Sequence, residues 1–143
     1  MKSFKQYIKE SKVDDFLIWE PEDEFRVIAD GINKLKSKKG ELYRGISEHE
    51  LRVLRKTGEV KSKGKGNTSN INGSYISDNV HLAGRFAMVA YRDTGAGYII
   101  VLDKNKLPDL EKRDRMKHYQ NYATSSITKE SIKKIIKLGD FIK

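Results

Sequence analysis

Five consecutive apolar residues, from Tyr98 to Leu102 (YIIVL), constrain the fold of this chain more than any other stretch. The run is continuously apolar and rich in β-branched residues, which is typical of a strand buried at the centre of a sheet. Neither this run nor the six apolar residues from Phe86 to Tyr91 approach the roughly 20 residues that a membrane-spanning helix needs. The sequence therefore predicts a soluble protein built around a central strand.

The remaining patterned segments are short and alternate between helical and strand character. A chain of 143 residues is long enough for one compact domain with a real core, but hardly for two. Short strands with interspersed helices, without regular βαβ alternation, indicate the α+β class. The predicted helices begin at Pro21, at Ser47, and at Asp78 or Asn79, with a fourth around Ile132, Ile135 and Ile136; the predicted strands are Glu41 to Ile46, Ser74 to Ser77, Tyr98 to Leu102, Tyr119 to Ser125, and a last one that includes Phe141.

Capping residues fix the ends of two of these helices. Ser47, with Glu50 three positions on, has the pattern of a capping box. Gly58 is expected to end that helix, and Gly95 the helix that follows Asn79, because glycine accepts the left-handed backbone common after a last helical turn. These signals predict a strand that turns directly into a helix at Ser47.

Composition and charge limit the chemistry that the chain can perform. Cysteine is absent, and the three histidines show no metal-ligand spacing, so thiol catalysis is excluded and no metal is expected. The formal net charge of +9 favours nucleic acid or an anionic nucleotide as partner, although a lysine-rich surface also serves solubility alone. The segment from Lys61 to Gly73 (KSKGKGNTSNING) lacks apolar periodicity and is expected to be a basic loop, whose lysines contact phosphate or only water.

The first twelve residues (MKSFKQYIKESK) are a basic amphipathic stretch, which we separate from a domain spanning residues 13–143. The stretch resembles the capsid-targeting leaders of internal proteins in large tailed bacteriophages, with Ile8-Lys9-Glu10 at the position of the cleavage site. An ordinary N-terminal helix is the alternative. The resemblance implies a phage-encoded protein that acts in the host cytoplasm or is packaged in a virion.

Two motifs bring together residues suited to binding a nucleotide. Leu42-Tyr43-Arg44-Gly45 places a cation on a strand beside a glycine that permits close approach of a ligand. The second motif, GSYISDNVHLAGRFA, carries the hydroxyl of Ser77 and the rings of Tyr75 and Phe86. A guanidinium, a hydroxyl and an aromatic ring are groups that hold phosphates and stack a flat ring.

Both motifs resemble signatures of the ADP-ribosyltransferase superfamily, which cleaves NAD at the nicotinamide bond and transfers ADP-ribose. The resemblance implies that Arg44 contacts the NAD phosphates, with Tyr43 beside it, and that Gly45 offers backbone contacts to nicotinamide. Ser77 stands where the Arg-Ser-Glu branch has the last serine of its Ser-Thr-Ser element. In a second alignment, Tyr75 and Phe86 would sandwich the nicotinamide ring.

The third signature of that superfamily is a catalytic Glu, and here the pattern differs. The segment ITKESIKKIIKL resembles the sequence that follows this Glu, and it points to Gln120 or Asn121. An amide hydrogen-bonds a ribose hydroxyl but supplies no negative charge to support a developing cation on the sugar. If the register differs, Glu111 or Asp114 in a preceding loop would be the acid.

Each candidate residue also has a structural explanation that the sequence leaves open. Arg44 would pair with a carboxylate, Ser77 would help to cap the next helix, and Tyr75 and Phe86 would be core aromatics. Two functions follow from the sequence. The first is NAD-dependent mono-ADP-ribosyl transfer to a host protein or nucleic acid. The second is a protein of the same fold that binds ADP-ribose, NAD or nucleic acid without catalysis.

Overall fold

The computed structural model describes residues 20–61, 76–115 and 117–143, and these form an antiparallel sheet with helices on both faces. Two segments named in the sequence analysis, the leader 1–12 and most of the basic loop, lie outside the described residues, as does Tyr75. The helices are α1 (Glu20–Asn33), α2 (Glu48–Thr57) and α3 (Val80–Thr94). The strands are β1 (Glu41–Ser47), β2 (Glu59–Lys61), β3 (Ile76–Ser77), β4 (Gly97–Asp103), β5 (Glu111–Arg115), β6 (Gln120–Ala123), β7 (Ser126–Thr128) and β8 (Ile132–Lys137).

Six strands form one sheet in the order β5-β6-β3-β1-β4-β8, in which every neighbouring pair is antiparallel. The predicted apolar strand is β4, which lies between β1 and β8 and is buried from Gly97 to Leu102. Strands β2 and β7 pair separately as a small second sheet. The predicted α+β class is therefore confirmed.

Side-chain alternation along β1 divides the core between the two faces of the sheet. Leu42 and Ile46 point to a cluster that α2 and the small sheet cover, with Leu51, Leu54 and Ile127. Tyr43 points to the other cluster, which α1 and α3 cover with Ile28, Ile32, Ala83 and Ala87. We call these the α2 face and the α3 face.

The helix ends follow the predicted caps. The Ser47 hydroxyl accepts the backbone N–H of Glu50 at 3.2 Å, and Gly58 ends α2 in the left-handed conformation. Asn79, rather than Asp78, caps α3 by accepting the N–H groups of His81 and Leu82. Gly95 ends α3 with φ of 85°.

One predicted helix was wrong: Ile132, Ile135 and Ile136 belong to strand β8. The pairing of β8 with β4 shifts register between Val101 and Leu102, so that β8 carries one extra residue there. As a result Ile132 and Ile135, three residues apart, oppose Leu102 and Ile100 on the same side of the sheet. Because of the bulge, two residues three positions apart lie on the same side of a strand, and this spacing is otherwise typical of a helix.

Three further differences concern short elements. Phe141 lies in a 3₁₀ helix, Leu138–Ile142, and not in a strand. Strands β2, β5 and β7 were not predicted because they are short and carry few apolar residues. Glu111 and Asp114, expected in a loop, lie on β5 at the edge of the sheet.

Candidate functional site

Arg44 is the most buried charged residue among those described, with 1% of its surface exposed. Its guanidinium forms a two-point ion pair with the Glu50 carboxylate, with Nε–Oε2 and Nη2–Oε1 distances of 2.6 and 2.7 Å. The tight turn at Ser47 brings this carboxylate back over β1, six residues after Arg44. The cap therefore differs from a full capping box, because Glu50 binds Arg44.

Strand register separates the predicted site residues between the two faces of the sheet. Tyr43 pairs with Ser77, and Ser77 pairs with Asn121, so these three residues lie on the α3 face. Arg44 lies on the α2 face, and the strand alternation of β6 places Gln120 on that face too, beside Tyr122. The structure thus brings Arg44 and Gln120 to one side and Ser77 and Asn121 to the other.

Gln120 is bound to the neighbouring edge strand by its amide group. Its Nε2 donates to the backbone oxygen of Arg113 at 2.8 Å and to that of Asp114 at 3.3 Å. The residue is buried and spans the register shift between β5 and β6. A carboxylate at this position would have no N–H to give these carbonyl groups.

Ser77 and Gly45 have contacts that position α3. The Ser77 hydroxyl accepts the backbone N–H of Asn79 at 2.9 Å, which fixes the entry to the helix. A Cβ on Gly45 would collide with the backbone of Ala83 and Ala87, so only glycine lets α3 lie this close to β1. Phe86 lies on the same helix and is 41% exposed.

Tyr43 links β1 to the loop that precedes it. Its hydroxyl accepts the backbone N–H of Lys38 at 2.7 Å and donates to the Glu41 carboxylate at 2.8 Å. Burial, together with this donation to Glu41, raises the pKa of Tyr43 to about 12. Burial alone would raise the pKa of Glu41, but hydrogen bonds from Lys133 and Tyr43 outweigh it and hold this pKa below its ordinary value.

A pocket of about 280 Å³ opens beside these groups at the start of β1. It is lined by lysines from two loops, Lys38, Lys39 and Lys104, together with Asp78 and Tyr122. Leu42 and Tyr122 reach it from the α2 face of the sheet. No sequence motif predicts this pocket, although the loop that forms one wall carries the lysines of KLKSKKG.

The remaining candidates lie elsewhere. Glu111 pairs with Arg113 at 3.1 Å on the edge strand, and Asp114 lies on the same strand. Within residues 20–61, 76–115 and 117–143, no group of three or more His, Asp or Glu side chains is placed to hold a metal ion. In the same part of the chain, no helix combines the length and apolar character that crossing a membrane requires.

These features define a small mixed α+β domain with a buried arginine on a central strand. No family model matches the chain, and searches of the curated proteins and of the solved structures find no match either. As an NAD site, the described residues fit in part. Arg44 lies beside Gly45 on a central strand, as the resemblance implies. However, the Glu50 carboxylate already balances the charge of Arg44, and neither Gln120 nor Asn121 is an acid.

Proposed function

We propose that this protein is a catalytically silent relative of the ADP-ribosyltransferases, which binds an anionic nucleotide such as ADP-ribose or NAD and does not cleave it. The observation that carries the proposal is the amide of Gln120 on the face of Arg44. Its N–H groups are used to hold backbone carbonyls of β5. This position therefore suits a hydrogen-bond donor, and a catalytic carboxylate would leave those carbonyls without one.

The chemistry of transfer argues in the same direction. Departure of nicotinamide leaves positive charge on the ribose, and a nearby carboxylate is what stabilises that charge. Glu50 is the carboxylate that contacts Arg44, and both of its oxygens accept hydrogen bonds from the guanidinium. A carboxylate engaged in this way has its negative charge already balanced, so it is poorly suited to stabilise a cationic sugar.

Binding of an anionic nucleotide is supported by charge and by position. The chain carries a net charge of +9, which attracts any polyanion. The lysine-lined pocket lies next to the α2 face, and Tyr122 belongs to both. A nucleotide whose phosphates enter this pocket would thus have basic side chains within reach.

The test measures binding and cleavage on the same samples of the full chain. Calorimetry with NAD and with ADP-ribose is expected to show binding, while labelled NAD with host lysate yields neither released nicotinamide nor labelled acceptor. Arg44→Lys keeps the charge but breaks the two-point pair with Glu50, which holds α2 over this face of the sheet, and should weaken nucleotide binding. Lys56→Gln, an exposed change on α2, serves as the control and should leave binding unchanged.

Three outcomes would overturn the proposal. Nicotinamide release by the wild type that Arg44→Lys abolishes would establish the transferase hypothesis instead. Binding of a single-stranded oligonucleotide but of neither nucleotide, with affinity falling steeply as salt rises, would make nucleic acid the ligand. Absence of binding to all three would end the binding hypothesis.

A further inference from the structure

The pocket at the start of β1 is a basic cavity with fixed walls. One wall is the loop of Ser37 to Gly40, and the other is formed by Lys104 and Tyr122. The backbone N–H of Lys104 donates to the Gly40 oxygen at 3.1 Å, which joins the two walls. The pocket therefore lies between two parts of the chain that are hydrogen-bonded to each other.

Contacts from three directions hold the first wall. Ser37 Oγ accepts the backbone N–H of Val80 at the start of α3, at 2.9 Å. The Tyr43 hydroxyl accepts the N–H of Lys38 at 2.7 Å, and a His81 ring nitrogen lies 2.7 Å from the Leu35 oxygen. A loop held in this way loses little conformational freedom when a ligand binds, which favours affinity.

The acidic groups of the pocket already have partners. The two Glu41 oxygens accept hydrogen bonds from Tyr43 and Lys133, each at 2.8 Å. One Asp78 oxygen accepts the backbone N–H of Gln120 at 2.9 Å. Lys133 offsets the charge of Glu41, so the charge of Asp78 is set against three lysines and the pocket is net positive.

Three lysines line the pocket. Among the described residues, no carboxylate lies within ion-pairing distance of Lys38, Lys39 or Lys104. Lys104 Nζ lies 5.0 Å from the centre of the Tyr122 ring and 3.3 Å from its hydroxyl, which holds this ammonium at the wall. Ammonium groups and a phenol hydroxyl are donors suited to phosphate oxygens.

We propose that this pocket binds the phosphate or diphosphate group of a small molecule. Its volume of about 280 Å³ is just below the range of roughly 300–1,000 Å³ for pockets that take whole drug-sized ligands. The cavity therefore fits a phosphate-bearing end and not an entire dinucleotide. The inference stands on the pocket alone and does not require the Arg44 face to bind anything.

The experiment titrates the full chain with inorganic phosphate and with pyrophosphate, followed by calorimetry at low salt. Lys104→Gln and the double change Lys38→Gln with Lys39→Gln each remove cations from the pocket. A hydrogen bond to a charged group contributes enough that each variant should bind pyrophosphate about tenfold more weakly. Lys56→Gln combined with Arg92→Gln makes the same loss of charge as the double change on exposed helix positions, and should reduce affinity less than twofold.

Three results would overturn the proposal. In the first, the wild type binds neither phosphate nor pyrophosphate at millimolar concentration. In the second, the helix variant weakens binding as much as the pocket variants, which would show that only net charge matters. A parallel titration with ADP and a single-stranded oligonucleotide separates the sources of phosphate: binding of the oligonucleotide alone would refute a small-molecule site. Circular dichroism of every variant confirms that the fold is retained.

Discussion

The ion pair between Arg44 and Glu50 allows a direct test of how much these two groups stabilise the fold. Changing Glu50→Gln leaves the guanidinium, which is 1% exposed, without a negative partner at this contact. Removing one member of a buried pair typically costs about 3–5 kcal/mol. Because 19% of the Glu50 side chain is exposed, water offsets part of the loss and we expect about 3 kcal/mol. A domain of this size is stable by roughly 7–20 kcal/mol, so the loss is measurable.

Urea unfolding followed by far-ultraviolet circular dichroism measures the two single variants, Arg44→Met and Glu50→Gln, and their combination. The combined variant buries no unmatched charge, so it should lose less stability than the sum of the single changes, by about 1.5 kcal/mol or more. Single losses below about 1 kcal/mol that simply add in the combined variant would refute the reasoning. That result would mean that water or other groups already satisfy both charges.

Three further predictions concern the strand and the turn that carry this pair. Gly45→Ala should destabilise the protein by about 3 kcal/mol in urea unfolding, because the new methyl group overlaps the backbone of α3; a loss below about 1 kcal/mol would contradict that close approach. Ser47→Ala should cost about 1 kcal/mol through loss of the N-cap bond, and an unchanged unfolding midpoint would argue against that cap. The raised pKa of Tyr43 stabilises the fold below pH 10, and this contribution should be lost as the pH rises from 10 through 12. The pKa values of Tyr91 and Tyr98 are also raised, so ultraviolet titration should show one late-ionising tyrosine fewer in Tyr43→Phe than in the wild type. A variant that loses only an early-ionising tyrosine would refute the shift.

Much of the fold could be predicted because its signals are local. Side-chain oxygens at Ser47 and Asn79 and glycines at 58 and 95 satisfy helix ends within a few residues, so a short pattern is enough to identify them. The apolar run in β4 is equally local. Strand β8 could not be predicted in this way, because the spacing of its isoleucines depends on its pairing with β4. The extra residue of the bulge in that pairing interrupts the usual alternation of side chains between the two faces.

The candidate site was harder to predict, because it depends on register. The sequence predicts Arg44 and Ser77 on two separate strands. The structure pairs these strands, but the pairing of Ser77 with Tyr43 puts the side chains of Arg44 and Ser77 on opposite faces. A shift of one residue in that pairing would have put them together. The pocket beside Lys104 was missed for a similar reason, since its walls come from loops far apart in the sequence and carry no motif.

The central position of β1 in the sheet has a consequence for synthesis on the ribosome. Its longest partner, β4, follows about sixty residues later in the chain. At the usual rate of translation, roughly 5–20 residues per second, about 3–12 s pass between the synthesis of β1 and that of β4. During this interval the nascent chain contains α1, β1 and α2 but lacks β4, the strand that pairs with β1 along its whole length. The domain is therefore expected to acquire its sheet late in translation, when β4 joins β1.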